Sequence, residues 1–281
     1  MATRIIIDST ADFGSEYRNR ALIVPLTVHF GNEEYIDGVT ITHEDFYKRL
    51  TSSETLPTTS AASPGAFDEV FKEVTEAGDE AVVITVASKL SGTYQSACIM
   101  ANEYDNIYVV DSTNVTLGSG ALVQYAFRLL DEGMGAKEIA EKLNEAKERL
   151  VLVAYVDTLE YLSKGGRLSK GAALIGGVLN IKPIVSVVDG VIESIGKARG
   201  TKASINQMLV EIEKLGGIDH DMPIVAGYSG LSDEALVKFV DSNRELLQSR
   251  NEEVQTSSIG SVVGTHAGPG ALGVGFFVNK K

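Results

Sequence analysis

The hydrophobic pattern is densest at residues 81–87, Ala-Val-Val-Ile-Thr-Val-Ala. Only a strand covered on both faces stays apolar at consecutive positions, so this run predicts a buried parallel strand. Leu90-Ser91-Gly92-Thr93-Tyr94 follows and opens a helix expected to reach residue 103. Upstream, residues 3–8 read as a first strand, 21–30 as a second and 33–36 as an edge. Thr42-His43-Glu44-Asp45 starts a helix by the Thr-x-x-acid pattern, with Phe46, Tyr47 and Leu50 as its buried stripe. Residues 57–65 are rich in hydroxyls, show neither period and read as a loop. That loop ends at a helix start, with Ser63 as N-cap, Pro64 in the first position and Phe67, Val70, Phe71 and Val74 at core spacing. A strand at 107–110 and amphipathic helices at 116–131 and 136–149 continue a β-α-β-α order. Such an order predicts a mostly parallel sheet with helices on both faces.

From residue 151 the texture changes. An apolar run at 151–156 and a helical turn at 159–162 precede a basic loop, 164–170, and an apolar, glycine-rich stretch, 171–179. Runs at 181–188 and 191–195 flank Asp189-Gly190, a strong hairpin signal. A helix at 202–215, a strand at 223–228, one long helix at 232–248, a strand at 253–259 and a last strand at 272–278 complete the pattern. The expected fold is α/β with two domains. The first, 1–150, is mostly parallel and Rossmann-like; the second, 151–281, has an antiparallel or mixed sheet.

Composition narrows the function. The 281-residue chain is 44% hydrophobic, enough to fill two cores. Its net charge of −13 argues against a nucleic-acid or anionic-membrane binder, which needs basic surface to displace counterions. Residues 151–205 depart from this, with seven basic side chains against four acidic ones. That contrast fits either a basic patch for an acidic partner or ordinary solvated charge. Cys98 is the single cysteine, which excludes an internal disulfide and suits a reducing compartment. No run approaches the length of a membrane span and no signal-type core opens the chain, so a cytoplasmic protein without membrane insertion is expected.

The candidate chemistry gathers at strand ends. A strand that ends in Ser91-Gly92-Thr93 and opens a helix puts hydroxyls and unpaired backbone N–H groups at one point, which attracts an anion. Thr59 and Ser60 either belong to a plain linker or reach that point, and Asp8 either meets a ligand or caps a neighbouring element. His266, within Gly264-Thr265-His266-Ala267-Gly268-Pro269-Gly270, is expected in a loop that presents its side chain. His29 is expected in the core, and His43 and His220 at the surface. Gly-x-Ser-x-Gly is absent around Ser91, although Ser91, His266 and Asp8 or Asp111 could supply the parts of a serine esterase or thioesterase. No His-Glu-x-x-His, Cys-x-x-Cys or P-loop pattern occurs, so neither a metal nor a nucleotide cofactor is expected.

The assembled motifs carry a resemblance. Asp8-Ser9-Thr10-Ala11-Asp12, Thr59-Ser60 before Ser63-Pro64-Gly65, Leu90 to Ala97 and Val110-Asp111-Ser112 come first. Gly165-Gly166-Arg167-Leu168-Ser169, Ile181-Lys182-Pro183-Ile184, Arg199-Gly200-Thr201-Lys202 and the His266 segment follow in order. Together they resemble the DegV family, which includes the fatty-acid-binding (FakB) subunit of bacterial fatty-acid kinase. The chain departs at Thr59-Ser60-Ala61-Ala62, where the family often has Thr-Ser-Gln-Pro.

The resemblance implies a non-enzymatic subunit with one long-chain fatty acid held between two domains, and a separate kinase subunit that makes the acyl phosphate for phospholipid synthesis. Thr59, Ser91 and His266 would meet the carboxylate, with Ser60 nearby and Gly92 and Thr93 backbone N–H groups in support. Arg167, Lys170, Arg199 and Lys202 are candidates for contacting the kinase or acyl phosphate. Residues 174–179 and 184–188 are candidates for lining the tail. A lipid-binding carrier or regulator is the remaining alternative.

Overall fold

The computed structural model describes residues 1–169, 180–249 and 253–280. The chain begins with β1 (Thr3–Asp8), α1 (Ser15–Arg18), β2 (Leu22–Val24), β3 (Thr27–Phe30) and β4 (Glu33–Ile36). Helix α2 (His43–Ser52), strand β5 (Thr58–Ser60) and helix α3 (Pro64–Glu76) lead to β6 (Glu80–Thr85). Then come α4 (Thr93–Ala101), β7 (Ile107–Asp111), α5 (Thr116–Asp131) and α6 (Ala136–Ala146).

Strands β2-β1-β6-β7 form a four-stranded sheet in that order, and every pairing in it is parallel. Its alternation builds two cores. Ile5 and Ile7 of β1 pack with Val82 and Ile84 beneath α5 and α6, whereas Ile6 faces Val83, Phe46, Phe67 and Phe71 on the other side. From β1 the chain turns to β2 on one side, and it later returns to β6 on the other. The carboxyl ends of β1 and β6 therefore flank a topological switch point, where open α/β sheets leave a crevice.

The second half contains β8 (Leu150–Tyr155), α7 (Glu160–Lys164), β9 (Ile181–Val188), β10 (Val191–Arg199) and α8 (Thr201–Leu215). It ends with β11 (Val225–Tyr228), α9 (Glu234–Ser242), α10 (Arg244–Leu247), β12 (Gln255–Ser258), α11 (Ser261–Ala267) and β13 (Leu272–Phe277). These strands form a mixed sheet, β10-β9-β8-β13-β11-β12, antiparallel except between β11 and β12. Asp189 and Gly190 both take positive φ, 49° and 74°, and close the β9–β10 hairpin. Helix α5 is wedged between the two large sheets. A Cβ at Gly275 of β13 would lie 2.2 Å from Leu117 O, and one at Gly120 would lie 2.0 Å from Asp12 O. Glycine at both positions lets the sheets close on the helix.

Four expectations need correction. Residues 21–30 form two strands in different sheets, because Pro25 has no N–H for a continuing ladder. Residues 58–60 form strand β5 rather than loop; it pairs with β3 through Val28↔Thr59, and three residues are too few to show a period. With β4 these two make a small antiparallel sheet, β4-β3-β5. The expected long helix at 232–248 is two, broken at Asn243 (φ −128°, ψ 28°). His266 lies in the last turn of α11, not in a loop. Gly264, which reads as flexible, is a packing glycine: its Cβ would lie 2.5 Å from Tyr47 Oη and 2.7 Å from Phe46 Cε1.

Candidate functional site

At the switch point a cavity of about 1010 Å³, its open mouth included, lies between the parallel sheet, α5 and the mixed sheet. This is at the upper end for small-molecule pockets, about 300–1,000 Å³. Its inner wall is aliphatic: Leu117 of α5, Leu152 and Ala154 of β8, and Val185 and Val187 of β9. Two wall hydroxyls are already satisfied. Thr10 donates to Asp8 Oδ1 at 2.6 Å and Thr116 donates to Asp12 Oδ2 at 2.6 Å. With their donors taken, these threonines offer an arriving ligand little polarity.

Asp8 is thus a structural anchor. It is 1% exposed, and its second oxygen accepts Val86 N–H at 2.6 Å, which ties the end of β6 to the loop after β1. Burial raises its pKa against the pull of these hydrogen bonds.

The polar groups at the mouth of the cavity form one contiguous cluster. Thr59 Oγ1 lies 3.0 Å from His266 Nε2. Gly165 abuts the same ring, since a Cβ there would lie 2.2 Å from His266 Nδ1. Arg167 donates to Gly165 O at 2.7 Å and to Leu90 O at 3.2 Å. Leu90 leads into Ser91 and Gly92, and a Cβ on Gly92 would lie 4.0 Å from Ala61 Cβ. Ala61 and Gly92 are exposed, so the cluster sits at the mouth, while Leu117, Leu152 and Val187 are buried at the other end.

The imidazole is neutral near physiological pH. Burial, followed by the nearby Arg167 guanidinium, lowers the His266 pKa to about 4. Its Nδ1 is buried without a partner among the described residues. Ser91 Oγ lies 2.9 Å from Thr93 Oγ1 and accepts Thr93 N–H at 3.3 Å. Serine hydrolysis needs a base on the serine and an acid on the histidine. Ser91 instead pairs with Thr93, and His266 pairs with Thr59.

The cavity thus brings together Thr59, Ser91, Gly92 and His266. Ser60 is the next residue along β5 and faces the other way; its hydroxyl lies 2.8 Å from His29 Nε2. Thr93 stands behind the lining. It is fully buried, its Oγ1 accepts Ala62 N–H at 3.3 Å, and its N–H is engaged by Ser91. His29 is partly exposed rather than core, and His43 is held against Gly230 O at 2.8 Å, between Tyr47 and Tyr228, rather than free at the surface. Of the tail candidates, Val185, Ser186 and Val187 line the cavity, while Ile184 faces the core behind the mixed sheet and Val188 is exposed. Lys170 and residues 174–179 lie outside the described residues. Arg199 and Lys202 are exposed at the β10–α8 junction, away from the lining, whereas Arg167 is part of it. Gly165 belongs to the Gly165-Gly166-Arg167-Leu168-Ser169 motif, but its role, leaving room for a side chain distant in sequence, shows only in the fold.

A parallel sheet and a mixed sheet closed on an aliphatic cavity, with hydroxyls and a neutral imidazole at its mouth, define an α/β protein built around a buried amphipathic site. The family model described as "Uncharacterised protein, DegV family" matches residues 2–279, and the chain belongs to this family. It is 39% identical over 282 residues to a DegV domain-containing protein of Caldanaerobacter subterraneus, covering 98% of each chain. A fatty-acid-binding DegV family protein from Thermus thermophilus superposes with a TM-score of 0.87 at 30% identity, over 99% of this chain and 100% of that one. A stearic-acid-binding protein from Eubacterium ventriosum superposes with a TM-score of 0.84 at 29% identity, over 99% and 98%. No helix among the described residues is long and apolar enough to cross a membrane.

Proposed function

We propose that this chain binds one long-chain fatty acid in the cavity, with its carboxylate at Thr59, Ser91 and His266, and presents that carboxylate to a separate kinase subunit for conversion to the acyl phosphate. The observation that carries the reading is the polarity of the cavity: an aliphatic inner wall and one polar cluster at the mouth. The fatty-acid-binding relatives of the same fold support it.

The energetics favour a division of labour. Burying about fifteen methylenes at about 0.8 kcal/mol each supplies a gross drive of about 12 kcal/mol, before the costs of ordering and association. Each hydrogen bond to the head group adds about 1–3 kcal/mol. The tail therefore sets affinity, and the mouth sets where the carboxylate points. Thr59, Ser91 and the His266 imidazole orient a carboxylate without charge of their own, with the Arg167 guanidinium beside them. Arg199 and Lys202, and Lys170 outside the described residues, are the basic side chains proposed to meet the kinase; Arg167 is closer to the head group.

Native mass spectrometry of the purified protein, followed by denaturation and identification of what is released, tests the binding step. A stoichiometric acid of roughly C14–C18, the size set by the tail arithmetic, is expected. Protein that is empty, and stays empty after incubation with mixed fatty acids, would overturn it. Acyl-phosphate formation with an added fatty-acid kinase subunit and ATP tests the presentation step.

A further inference from the structure

The amino end of α11, opposite His266, is held by two buried carboxylates. Asp37, in the turn after β4, is 5% exposed; it accepts Ser261 N–H at 3.1 Å and also the Ser261 hydroxyl. Asp12, in the loop after β1, is 2% exposed and accepts Gly260 N–H at 3.1 Å. A Cβ on Gly260 would lie 3.4 Å from Asp12 Oδ1 and 3.6 Å from Asp37 Oδ2, so the two carboxylates converge on one residue. Neither aspartate lines the ligand cavity.

The topology gives this clamp a consequence. Asp37 follows β4 directly, Thr59 is in β5, and both strands flank β3 in the small antiparallel sheet. That sheet therefore holds α11 at both ends, through Asp37 at Ser261 and through Thr59 at His266. The helix is seven residues long, about 10 Å at 1.5 Å per residue, too short to bend appreciably between the two grips. Its middle is held as well, with Gly264 pressed against Phe46 and Tyr47.

We propose that Asp37, assisted by Asp12, is a positioning residue for His266: it fixes the seating of α11 and so the place of the imidazole at the cavity mouth. This rests on the proposed fatty-acid reading for its functional meaning, but the placement of the ring can be read without ligand. The test uses the full chain as wild type, Asp37→Ala, Ser261→Ala and, as a control, Asp79→Ala. Asp79 is also buried and accepts Ala2 N–H at 2.7 Å and Arg4 Nε–H at 2.9 Å, remote in topology from α11.

In ligand-free protein with labelled histidine, Asp37→Ala is expected to move the His266 ring resonances and to raise its titration midpoint from about 4 toward the ordinary value as the ring loosens. Ser261→Ala should do the same to a smaller extent and keeps the claim testable if Asp37→Ala does not fold. Asp79→Ala should lower thermal stability and leave His266 in place. With a fluorescent fatty acid, Asp37→Ala should raise the dissociation constant about tenfold, the scale of one lost charge-assisted hydrogen bond. It should add little in a His266→Ala background. Unchanged His266 resonances in both the Asp37→Ala and Ser261→Ala proteins, or full additivity with His266→Ala, would overturn the proposal. If wild type binds no fatty acid, the function falls while the ring measurements still decide the positioning.

Discussion

Gly165→Ala places one methyl group against the His266 ring at the cavity mouth. Gly165 has φ −74° and ψ −8° at the end of α7, a conformation alanine adopts without strain. On backbone grounds alone the change should stabilise by about 0.4–1 kcal/mol. The new Cβ, however, would lie 2.2 Å from His266 Nδ1 and 2.9 Å from Cε1, with Tyr161 O at 3.0 Å on its other side. Ordinary contact begins near 3.4 Å, so the ring must retreat by more than 1 Å. The 3.0 Å contact from His266 Nε2 to Thr59 Oγ1 cannot survive that displacement. Losing one oriented hydrogen bond at a buried site costs about 1–3 kcal/mol, or about five- to 150-fold in affinity. Titration with a fluorescent fatty acid measures it, and thermal melting separates it from unfolding. Gly166→Ala is the matched control: Gly166 has φ 70° and nothing within 4 Å of its added Cβ. That variant should lose about 1–2 kcal/mol of stability through backbone strain and keep its affinity. Wild-type affinity in Gly165→Ala, with His266 resonances unmoved, would refute the reasoning.

Three further outcomes are expected. Ser91→Ala should weaken fatty-acid binding modestly and acyl-phosphate formation more, so equal formation by mutant and wild type with the kinase present would sink the presenting role of Ser91. The His266 ring, with its pKa lowered to about 4, should show no titration between about pH 5.5 and 8 in the free protein. In the unfolded chain it takes up a proton below about 6.5, so stability attributable to His266 falls as pH drops from about 6.5 to about 4; His266→Asn should flatten that slope in pH-dependent melting. Ala154→Phe should fill the inner cavity and cut affinity for long acids more than for short ones, with a folding penalty of about 1–3 kcal/mol that bound ligand no longer offsets; equal loss for every chain length would place the tail elsewhere.

What the chain discloses before folding follows from the range over which each signal acts. The parallel strands around residues 3–8, 81–87 and 107–110, the caps at Thr42 and Ser63 and the Asp189-Gly190 hairpin are local, and they stand where periodicity and turn chemistry put them. Strand β5 is not legible in the sequence because three hydroxyl-bearing residues have no period, and its pairing partner lies some thirty positions earlier at Val28. Helix α11 is not legible because Gly264, which weakens a helix in isolation, is there to admit Phe46 and Tyr47. Thr59 and His266 stand out locally, in a hydroxyl-rich and a glycine-rich stretch, and the resemblance assigns both to a carboxylate. Their contact could not be seen in composition, since it spans 207 positions.

The distribution of hydrogen bonds around the cavity points the same way as the proposed presentation step. Three buried carboxylates behind the site are turned inward: Asp8 holds Thr10 and Val86, Asp12 holds Thr116 and Gly260, and Asp37 holds Ser261. These acids stiffen the framework and leave the wall without free negative charge toward a ligand carboxylate. At the mouth, Thr59, Ser91 and His266 are uncharged, and Arg167 has part of its donor set engaged by Leu90 O and Gly165 O. A carboxylate seated there meets donors strong enough to orient it, whereas burial of the tail supplies most of the affinity. A serine hydrolase would need a base on Ser91. The proposed presentation step needs no such base, and uncharged groups at Thr59, Ser91 and His266 are compatible with it.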